Sequence, residues 1–288
     1  MMNTIIARAH GKINWAIGIN GRAENGYHSL DMLVQSISLS NQLCFSPAGE
    51  VRLWADGALI DDPFFLVLRA ARMLREAAGC KSGASIMLQR NIPDRAGLGG
   101  GSADCAAALI ALNALWGLGL SLDDLLALGA RLGSDVPFCL VGGLMRVSGC
   151  GEALTPVKTA LMPHMLIIIP DEGLSTEAVY RRYDMCGGDA PASVDGALGA
   201  LLAGDYAALS ELSGNALRRA AQQLSPSIVQ ALNALKRHGA LYAQMTGSGS
   251  AVYGVFEDAA LCRKVGATLS RNFNRCYVTR ACDCGVEI

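Results

Sequence analysis

The chain has 288 residues, of which 51% are hydrophobic and 17% are charged, and its formal net charge is −1. This composition is typical of a globular protein with one large or two ordinary domains, and it excludes an intrinsically disordered chain. Because neither sign of charge dominates, we expect no nucleic-acid partner and no binding to an anionic membrane.

The ten cysteines are scattered and form no CxxC pair, a pattern that favours reduced thiols over a disulfide framework. Cys282 and Cys284 could chelate a metal, but two ligands without a second pair favour ordinary thiols. The first residues contain no apolar stretch of signal-peptide length, and no apolar segment reaches the roughly 20 residues that cross a bilayer. We therefore expect a cytoplasmic protein without a membrane partner.

The first half of the chain mixes predicted strands and helices. Runs of β-branched and aromatic residues predict strands at Ile13–Ile19, Ser36–Phe45 and Ser85–Ile92. Helices are predicted at Pro63–Ala78, which stops at Gly79, and at Ser102–Trp116. Ser121 caps a further predicted helix that ends at Gly133. After Met145, the turn-rich segment VSGCGEALTPV predicts a hairpin that leads out of a first domain.

The second half begins with HMLIIIP, an apolar run between two prolines that predicts a buried strand. Further strands are predicted near Ala251–Phe256 and Cys276–Arg280, and a surface loop at Gly187–Ala192. Helices are predicted near Thr176–Tyr183, Asp205–Leu212, Pro226–His238 and Asp258–Ser270. The elements lack a steady βαβ rhythm, so the sequence favours the α+β class over a doubly wound sheet.

The segment IPDRAGLGGGSAD places four glycines within five residues, just before an alanine-rich apolar run. It fits neither a Walker A loop, a dinucleotide fingerprint nor a protein-kinase loop. A helix N-terminus nevertheless offers unpaired N–H groups and partial positive charge, and glycines let phosphate oxygens approach them. We predict a phosphate site, with an ordinary strand-to-helix turn as the alternative. Ser102 would cap the helix or turn its hydroxyl to a metal or phosphate, and a side chain at Gly100 would project against the phosphates.

Three motifs in a fixed order carry a resemblance to a known family. The glycine-rich segment, a later GSDVPF segment and MTGSGSAV near the end together resemble the GHMP small-molecule kinases. The segments GKIN, RAENGYHSLDMLVQSISL and LSTEAVY narrow the resemblance to the branch whose substrate is a cytidine diphosphate-linked methylerythritol. The match extends from about Ala9 to Phe256, which is nearly the whole chain.

The resemblance implies the two-domain α+β fold of GHMP kinases. Residues 1–158 would form a domain like domain 2 of ribosomal protein S5, with the ATP phosphate loop and the catalytic residues. Residues 159–288 would form a ferredoxin-like domain. The implied activity is ATP-dependent phosphorylation of an alcohol on a small molecule, with ATP and Mg²⁺ as cofactors, and we expect a monomer or weak dimer.

The resemblance also assigns roles to individual residues. Lys12 and Asp135 match the catalytic pair, in which Asp135 accepts the hydroxyl proton and Lys12 keeps it ionised. The positions that match the ATP phosphate loop are Pro93, Gly97, Leu98, Gly99, Gly100, Gly101 and Ser102. Those that match substrate-binding positions are Asn14, Tyr27, His28, Thr176, Tyr180, Gly247, Ser248 and Gly249. No metal ligand is assigned.

Each role has a plainer alternative when the residue is considered alone. Lys12 could be a solvated surface lysine, Asp135 could cap a helix, and Tyr27 and His28 could pack as a turn against the neighbouring hairpin. At the level of the whole chain, the alternatives are another GHMP activity (homoserine kinase, mevalonate kinase or diphosphomevalonate decarboxylase) and a non-catalytic ligand-binding relative.

Three positions depart from the family pattern. Asn25 stands where relatives often have aspartate, and both residue types favour turns. Ala103 replaces the second serine of the usual GGGSS, so a metal contact from that hydroxyl would be missing. Phe65 stands where many relatives have an asparagine near the adenine, which leaves base recognition open.

Overall fold

A computed structural model describes residues 4–22, 26–170, 173–188 and 193–288. Asn25 and most of the predicted loop at Gly187–Ala192 lie outside these residues. Within the described ranges, every helix is too short or too polar to cross a membrane.

The first sheet has eight strands and is built on one long hairpin. Strands β1 (Ile5–Arg22) and β2 (His28–Ala48) pair antiparallel from Ile5 opposite Phe45 to Arg22 opposite His28. The other strands are β3 (Val51–Ala55), β4 (Ala58–Ile60), β5 (Gly83–Gln89), β6 (Leu144–Gly149), β7 (Ala153–Val157) and β12 (Val286–Glu287). The order is β12-β1-β2-β5-β3-β4, with β6 on β2 and β7 beside β6. The pairing of β6 with β7 confirms the predicted hairpin.

Four helices belong to the first half of the chain: α1 (Leu66–Ala78), α2 (Gly100–Leu115), α3 (Leu122–Leu132) and α4 (Val136–Val141). Ser121 caps α3 as predicted, since its side chain accepts from the Asp124 N–H and the Asp124 carboxylate accepts from the Ser121 N–H. Helix α1 begins at Leu66 and not at Pro63, because the Asp62 carboxylate and carbonyl hold residues 63–65 in a turn.

The second sheet has four antiparallel strands in the order β11-β8-β10-β9. These strands are β8 (His164–Ile168), β9 (Tyr242–Met245), β10 (Val252–Phe256) and β11 (Cys276–Arg280). The helices of this half are α5 (Thr176–Cys186), α6 (Val194–Leu202), α7 (Tyr206–Leu212), α8 (Arg218–Leu224), α9 (Ser227–Arg237) and α10 (Ala259–Leu269). Mostly antiparallel sheets with helices packed on them confirm the predicted α+β class.

The two sheets share a hydrophobic core. Along β8, successive side chains alternate between faces, so Met165 and Ile167 pack with Ile13 and Trp15 of the first sheet. Leu166 and Ile168 face the other way and pack with helices of the second half. A further core lies between the first sheet and α1 to α4. The second half is therefore fixed against β1, the strand that contains Lys12.

Candidate active site

A cavity of about 320 Å³ opens where the glycine-rich loop before α2 meets a second glycine-rich loop, residues 246–249. Most of the residues predicted for the site line it: Lys12, Asn14, Pro93, Gly97, Leu98, Gly99, Gly100, Gly101, Ser102, Asp135, Thr176, Tyr180, Gly247 and Ser248. Three of the predicted residues that the structure describes, Tyr27, His28 and Gly249, do not line it. Folding thus brings segments from both ends of the chain to one cavity.

The glycine-rich loop leads directly into the N-terminus of α2. Gly97 and Gly99 have φ values of +78° and +73°, in the left-handed region that disfavours other residues. The Leu98 carbonyl accepts a hydrogen bond from the Lys12 N–H at 2.9 Å, which fixes the loop to β1. The first N–H groups of α2 have no acceptor within the helix, so they are available to an anion in the cavity.

Two details of the sequence-based prediction for this loop are wrong. Helix α2 begins at Gly100 with Gly99 at the N-cap, so Ser102 lies within the first turn and does not cap it. A Cβ at Gly100 would lie 3.1 Å from Cγ2 of Ile92, on the protein side of the loop. The glycine next to Lys12 is Gly99, whose Cβ would lie 3.0 Å from Cγ of Lys12.

The second glycine-rich loop, residues 246–249, packs directly against the first. A Cβ at Gly97 would lie 2.5 Å from the Thr246 carbonyl oxygen, and a Cβ at Gly247 would lie 2.8 Å from the Gly97 carbonyl oxygen. Neither distance is compatible with a side chain. Glycine is therefore required at both positions by the close contact of two backbones.

Lys12 and Asp135 meet in the cavity. Nζ of Lys12 lies 3.7 Å from Oδ2 of Asp135, and the two side chains are 6% and 40% exposed. Asp135 holds the N-cap position of α4, yet its side chain makes no capping hydrogen bond. The alternative role as a helix cap is therefore wrong, and so is a solvated surface position for Lys12. The carboxylate reaches the cavity next to a buried ammonium group.

Asn14 ties this pair to the second glycine-rich loop. Its Oδ1 accepts hydrogen bonds from Nζ of Lys12 at 2.9 Å and from the Gly247 N–H at 3.0 Å. Its own N–H donates to Oγ1 of Thr246, and its carbonyl accepts from the Tyr253 hydroxyl. The residue is 2% exposed. Asn14 thus orients Lys12, whereas its predicted contact with substrate stays a prediction.

The predicted aromatic residues form a group beside the cavity. Tyr180 lines the cavity, and its ring centroid lies 4.9 Å from that of His28. Burial raises the pKa of Tyr180, so its hydroxyl stays protonated. Nε2 of His28 lies 2.8 Å from Oδ1 of Asp184, and Arg22 donates to Oδ2 of Asp184 at 2.6 Å. Tyr27 is 70% exposed and lies outside the cavity lining.

Asp184 is the residue of this group that the sequence did not indicate. Burial favours its neutral form, but the hydrogen bond from His28 and the nearby charge of Arg22 outweigh burial and lower the pKa of Asp184. Its carboxylate therefore holds the orientation of the His28 ring.

Around the second loop, Oγ1 of Thr176 and Oγ of Ser248 lie 3.0 Å apart. This contact joins the first turn of α5 to the loop, and Ser248 is buried. A Cβ at Gly249 would lie 3.0 Å from Sδ of Met245, so this glycine faces the protein interior. Gly249 therefore contributes to the packing of the loop against the protein interior and not to the cavity lining.

The two described departures from the family pattern do not line the cavity, although their neighbours Leu66 and Ser102 do. Ala103 is fully buried within α2 and does not line the cavity, so its missing hydroxyl removes no ligand there. Phe65 occupies the N-cap position of α1 and packs against the first hydrophobic core.

Comparison with known proteins shows the family. The family models "GHMP kinases N terminal domain" and "GHMP kinases C terminal" match residues 66–143 and 197–275. The 4-diphosphocytidyl-2-C-methyl-D-erythritol kinase of Pelotomaculum thermopropionicum is 40% identical, over 97% of this chain and 98% of its own length. The chain belongs to the 4-diphosphocytidyl-2-C-methyl-D-erythritol kinase family of GHMP kinases.

Other relatives of this GHMP kinase agree. The enzyme of the same name from Moorella thermoacetica is 39% identical, over 97% of this chain and 99% of its own. A crystal structure of 4-(cytidine 5'-diphospho)-2C-methyl-D-erythritol kinase superposes with a TM-score of 0.82 at 31% identity, covering 96% of this chain and 99% of that one. Homoserine kinase from Cytophaga hutchinsonii shares the fold, with a TM-score of 0.75 at 21% identity and coverage of 100% and 98%.

These comparisons confirm the predicted two-domain GHMP kinase fold and the assignment as a kinase. The N-terminal match contains the first glycine-rich loop and Asp135, and the C-terminal match contains the second loop. The boundary between residues 158 and 159 stays a prediction. The last strand, β12, returns to pair with β1 in the first sheet.

Proposed function

We propose that this kinase transfers the γ-phosphoryl group of ATP to the 2-hydroxyl group of 4-diphosphocytidyl-2-C-methyl-D-erythritol. The family supports the overall reaction, since curated relatives of that name match nearly the whole chain. The observation that carries the mechanism is the pair of Lys12 and Asp135 in the cavity that the glycine-rich loop borders.

The phosphate groups of ATP would bind at the N-terminus of α2. Phosphoryl transfer asks a protein chiefly for positioning and for positive charge around the equatorial oxygens. The N–H groups of Gly100, Gly101 and Ser102 lie in the first turn of α2, and glycine leaves them uncovered. A kinase of this family implies ATP as co-substrate.

Asp135 would accept the proton of the attacking hydroxyl group. Lys12 Nζ, 3.7 Å away, would stabilise the negative charge that develops as the phosphoryl group moves. The hydrogen bond to Asn14 keeps the lysine in this position. Because Asp135 is partly exposed, a substrate hydroxyl group in the cavity can reach it.

Mg²⁺ fits the donors that border the cavity. The ion prefers oxygen ligands and usually binds through substrate phosphates, waters and one or two protein oxygens. The Ser102 residue lies in the first turn of α2 and lines the cavity, and Asp135 lines it as well. Ser102 would therefore hold the ion at the phosphates. When bound, Mg²⁺ neutralises charge on the β- and γ-phosphates.

The cytosine base would be recognised by the aromatic group. If Nε2 of His28 donates to Asp184, Nδ1 of the neutral ring is left as an acceptor. An acceptor matches the N4 amino group of cytosine and not the O4 of uracil. The rings of Tyr180 and Tyr27 would stack on the base, and such stacking contributes about 1–3 kcal/mol per base.

We also propose that the enzyme works in the cytoplasm as a monomer or weak dimer. All ten cysteines are free thiols in the structure, as expected for a reducing compartment.

A panel of acceptors tests the proposed substrate. ADP release is measured by a coupled assay with 4-diphosphocytidyl-2-C-methyl-D-erythritol, its uridine analogue, methylerythritol phosphate, homoserine and mevalonate. We expect the cytidyl compound to have the highest kcat/KM and methylerythritol phosphate to be a very poor acceptor. Equal turnover of homoserine or mevalonate would replace the cytidyl substrate with that of another GHMP kinase.

A further inference from the structure

Three side chains of metal-ligating types meet where β12 pairs with β1, outside the catalytic cavity. They are His10, Cys284 and Glu287, and their ligand atoms all lie within 4.8 Å of one another. We propose that they form a binding site for a divalent cation of the zinc type. The site would hold the last strand of the chain against β1.

Two of the three distances between these atoms match those around a tetrahedral ion. Nε2 of His10 lies 3.4 Å from Oε1 of Glu287, and Sγ of Cys284 lies 3.6 Å from the same oxygen. Zinc bonds of about 2.0–2.1 Å to nitrogen and oxygen and about 2.3 Å to sulfur place neighbouring ligands about 3.3 Å (N–O) and about 3.6 Å (S–O) apart. A cation could enter between these groups with little movement of the side chains.

His10 supplies the strongest indication of a missing partner. Its side chain is 6% exposed, and Nε2 is buried without a hydrogen-bond partner among the described residues. Nδ1 lies 3.2 Å from the Ile37 carbonyl oxygen, which only accepts, so Nδ1 carries the proton. In the neutral ring, Nε2 then presents a lone pair to a carboxylate oxygen. Two facing acceptors need a proton or a cation between them.

The contact with Ile37 also suits a metal ligand. Histidines that bind metals usually donate the hydrogen of the second ring nitrogen to a carbonyl or carboxylate, which fixes the ring and its tautomer. His10 is held in this way before any ion binds. The donor set of imidazole, thiolate and carboxylate favours zinc over Mg²⁺ or Ca²⁺, which prefer oxygen ligands alone.

The position of the site suggests what it would do. Strand β12 has two residues, and the bonds that join it to β1 include His10 N–H to the Gly285 carbonyl at 2.9 Å. The backbone at Gly285 also packs on α4, since a Cβ there would lie 1.9 Å from the Cys139 carbonyl oxygen. His10 precedes Lys12 on β1, and α4 follows Asp135. A bound ion would thus brace the two elements that carry the catalytic pair.

Metal titration of the full-length protein tests the proposal. After treatment with a chelator, Zn²⁺ is titrated in competition with a chromophoric chelator, and Co²⁺ binding is followed by its thiolate charge-transfer absorption. We expect one tight equivalent of Zn²⁺ and a Co²⁺–thiolate band. Cys284→Ser should abolish the band, and His10→Gln and Glu287→Gln should each weaken Zn²⁺ binding by more than about 10-fold.

Cys80→Ser serves as the control, because Cys80 is another partly buried thiol far from the cluster in sequence. It should leave both metals bound as in the parent protein. Should His10→Gln fail to fold, the partly exposed Glu287 provides the decisive variant. Absence of a tight equivalent, or Zn²⁺ binding that is the same in the Cys284 and Glu287 variants as in the parent, would show that a proton and not a metal lies between these groups.

Discussion

Replacement of Gly97 by alanine tests whether the two glycine-rich loops must touch for the site to form. Gly97 has a φ of +78°, and a Cβ there would lie 2.5 Å from the Thr246 carbonyl oxygen. Gly79, the C-cap of α1, offers a matched control. Its φ is +61°, but a Cβ there would have nothing within 4 Å.

Both variants place an alanine in left-handed backbone, and only Gly97→Ala also adds a steric clash. An alanine in that region costs about 1–2 kcal/mol, which is all that Gly79→Ala should lose. Gly97→Ala should lose about 1–3 kcal/mol more, the usual cost of forcing atoms into a packed site, because a backbone oxygen cannot rotate away. The clash would push the first loop away from the second loop, which Asn14 holds through the Gly247 N–H.

Urea unfolding measures the difference in stability, and steady-state kinetics measures the effect on the site. A misplacement of about 1 Å can cost about 10²-fold in rate, so kcat/KM for ATP should fall at least 10-fold in Gly97→Ala and stay unchanged in Gly79→Ala. If the two variants lost the same stability and kept the same kcat/KM, contact between the loops would have no part in forming the site.

Five further single variants and one double variant test individual residues. Asp135→Asn should lower kcat by about 10²-fold or more with KM little changed, and Lys12→Met should do likewise. In the double variant, the loss of transition-state stabilisation should be smaller than the sum of the two single losses. A near-normal kcat in Asp135→Asn would exclude Asp135 as the base. Burial raises the pKa of Asp104 to about 7, so its contribution to stability is complete below about pH 4 and is lost as pH rises through about 7. The free energy of unfolding in urea should therefore fall over that range in the parent and less steeply in Asp104→Asn, whereas parallel profiles would mean that Asp104 does not titrate there. Tyr180→Ala should raise KM for the cytidyl substrate and leave KM for ATP unchanged, and a rise in both would place Tyr180 outside the base site. Asp184→Ala should reduce the preference for cytosine over uracil. An unchanged preference would show that Asp184 does not orient His28 for base recognition.

Much of the site could be predicted because its chemistry depends on short local patterns. Four glycines before an apolar helix predict an anion site, with an ordinary strand-to-helix turn as the alternative, and the loop lines the cavity. Pairing Lys12 with Asp135 needed the family resemblance, since sequence spacing alone did not show that β1 and the start of α4 lie side by side.

The helices and strands that the sequence does not predict are short or lack a distinctive pattern. Strand β12 has two residues and exists because β1 offers it a free edge, which is a tertiary cause. Helix α6 is rich in alanine and glycine, so its hydrophobic periodicity is weak. Strand β9 has four residues next to the second glycine-rich loop.

Contacts between distant residues explain the remaining differences. Asn14 orients Lys12 through a loop from the other end of the chain, and Asp184 orients His28 from α5. Neither partner is near in sequence, so no local motif indicates the pair. The sequence predicts the wrong direction for a Cβ at Gly100 because that direction depends on where α2 begins.

Identification of the reaction product tests the central claim most directly. The enzyme is incubated with ATP, Mg²⁺ and 4-diphosphocytidyl-2-C-methyl-D-erythritol, and the product is examined by phosphorus and carbon NMR, with Asp135→Asn as the control. We predict one new phosphate monoester on the tertiary 2-hydroxyl group, formed with one ADP, and almost none from the variant. A phosphate on another hydroxyl group, or ADP released without phosphorylated acceptor, would contradict the account.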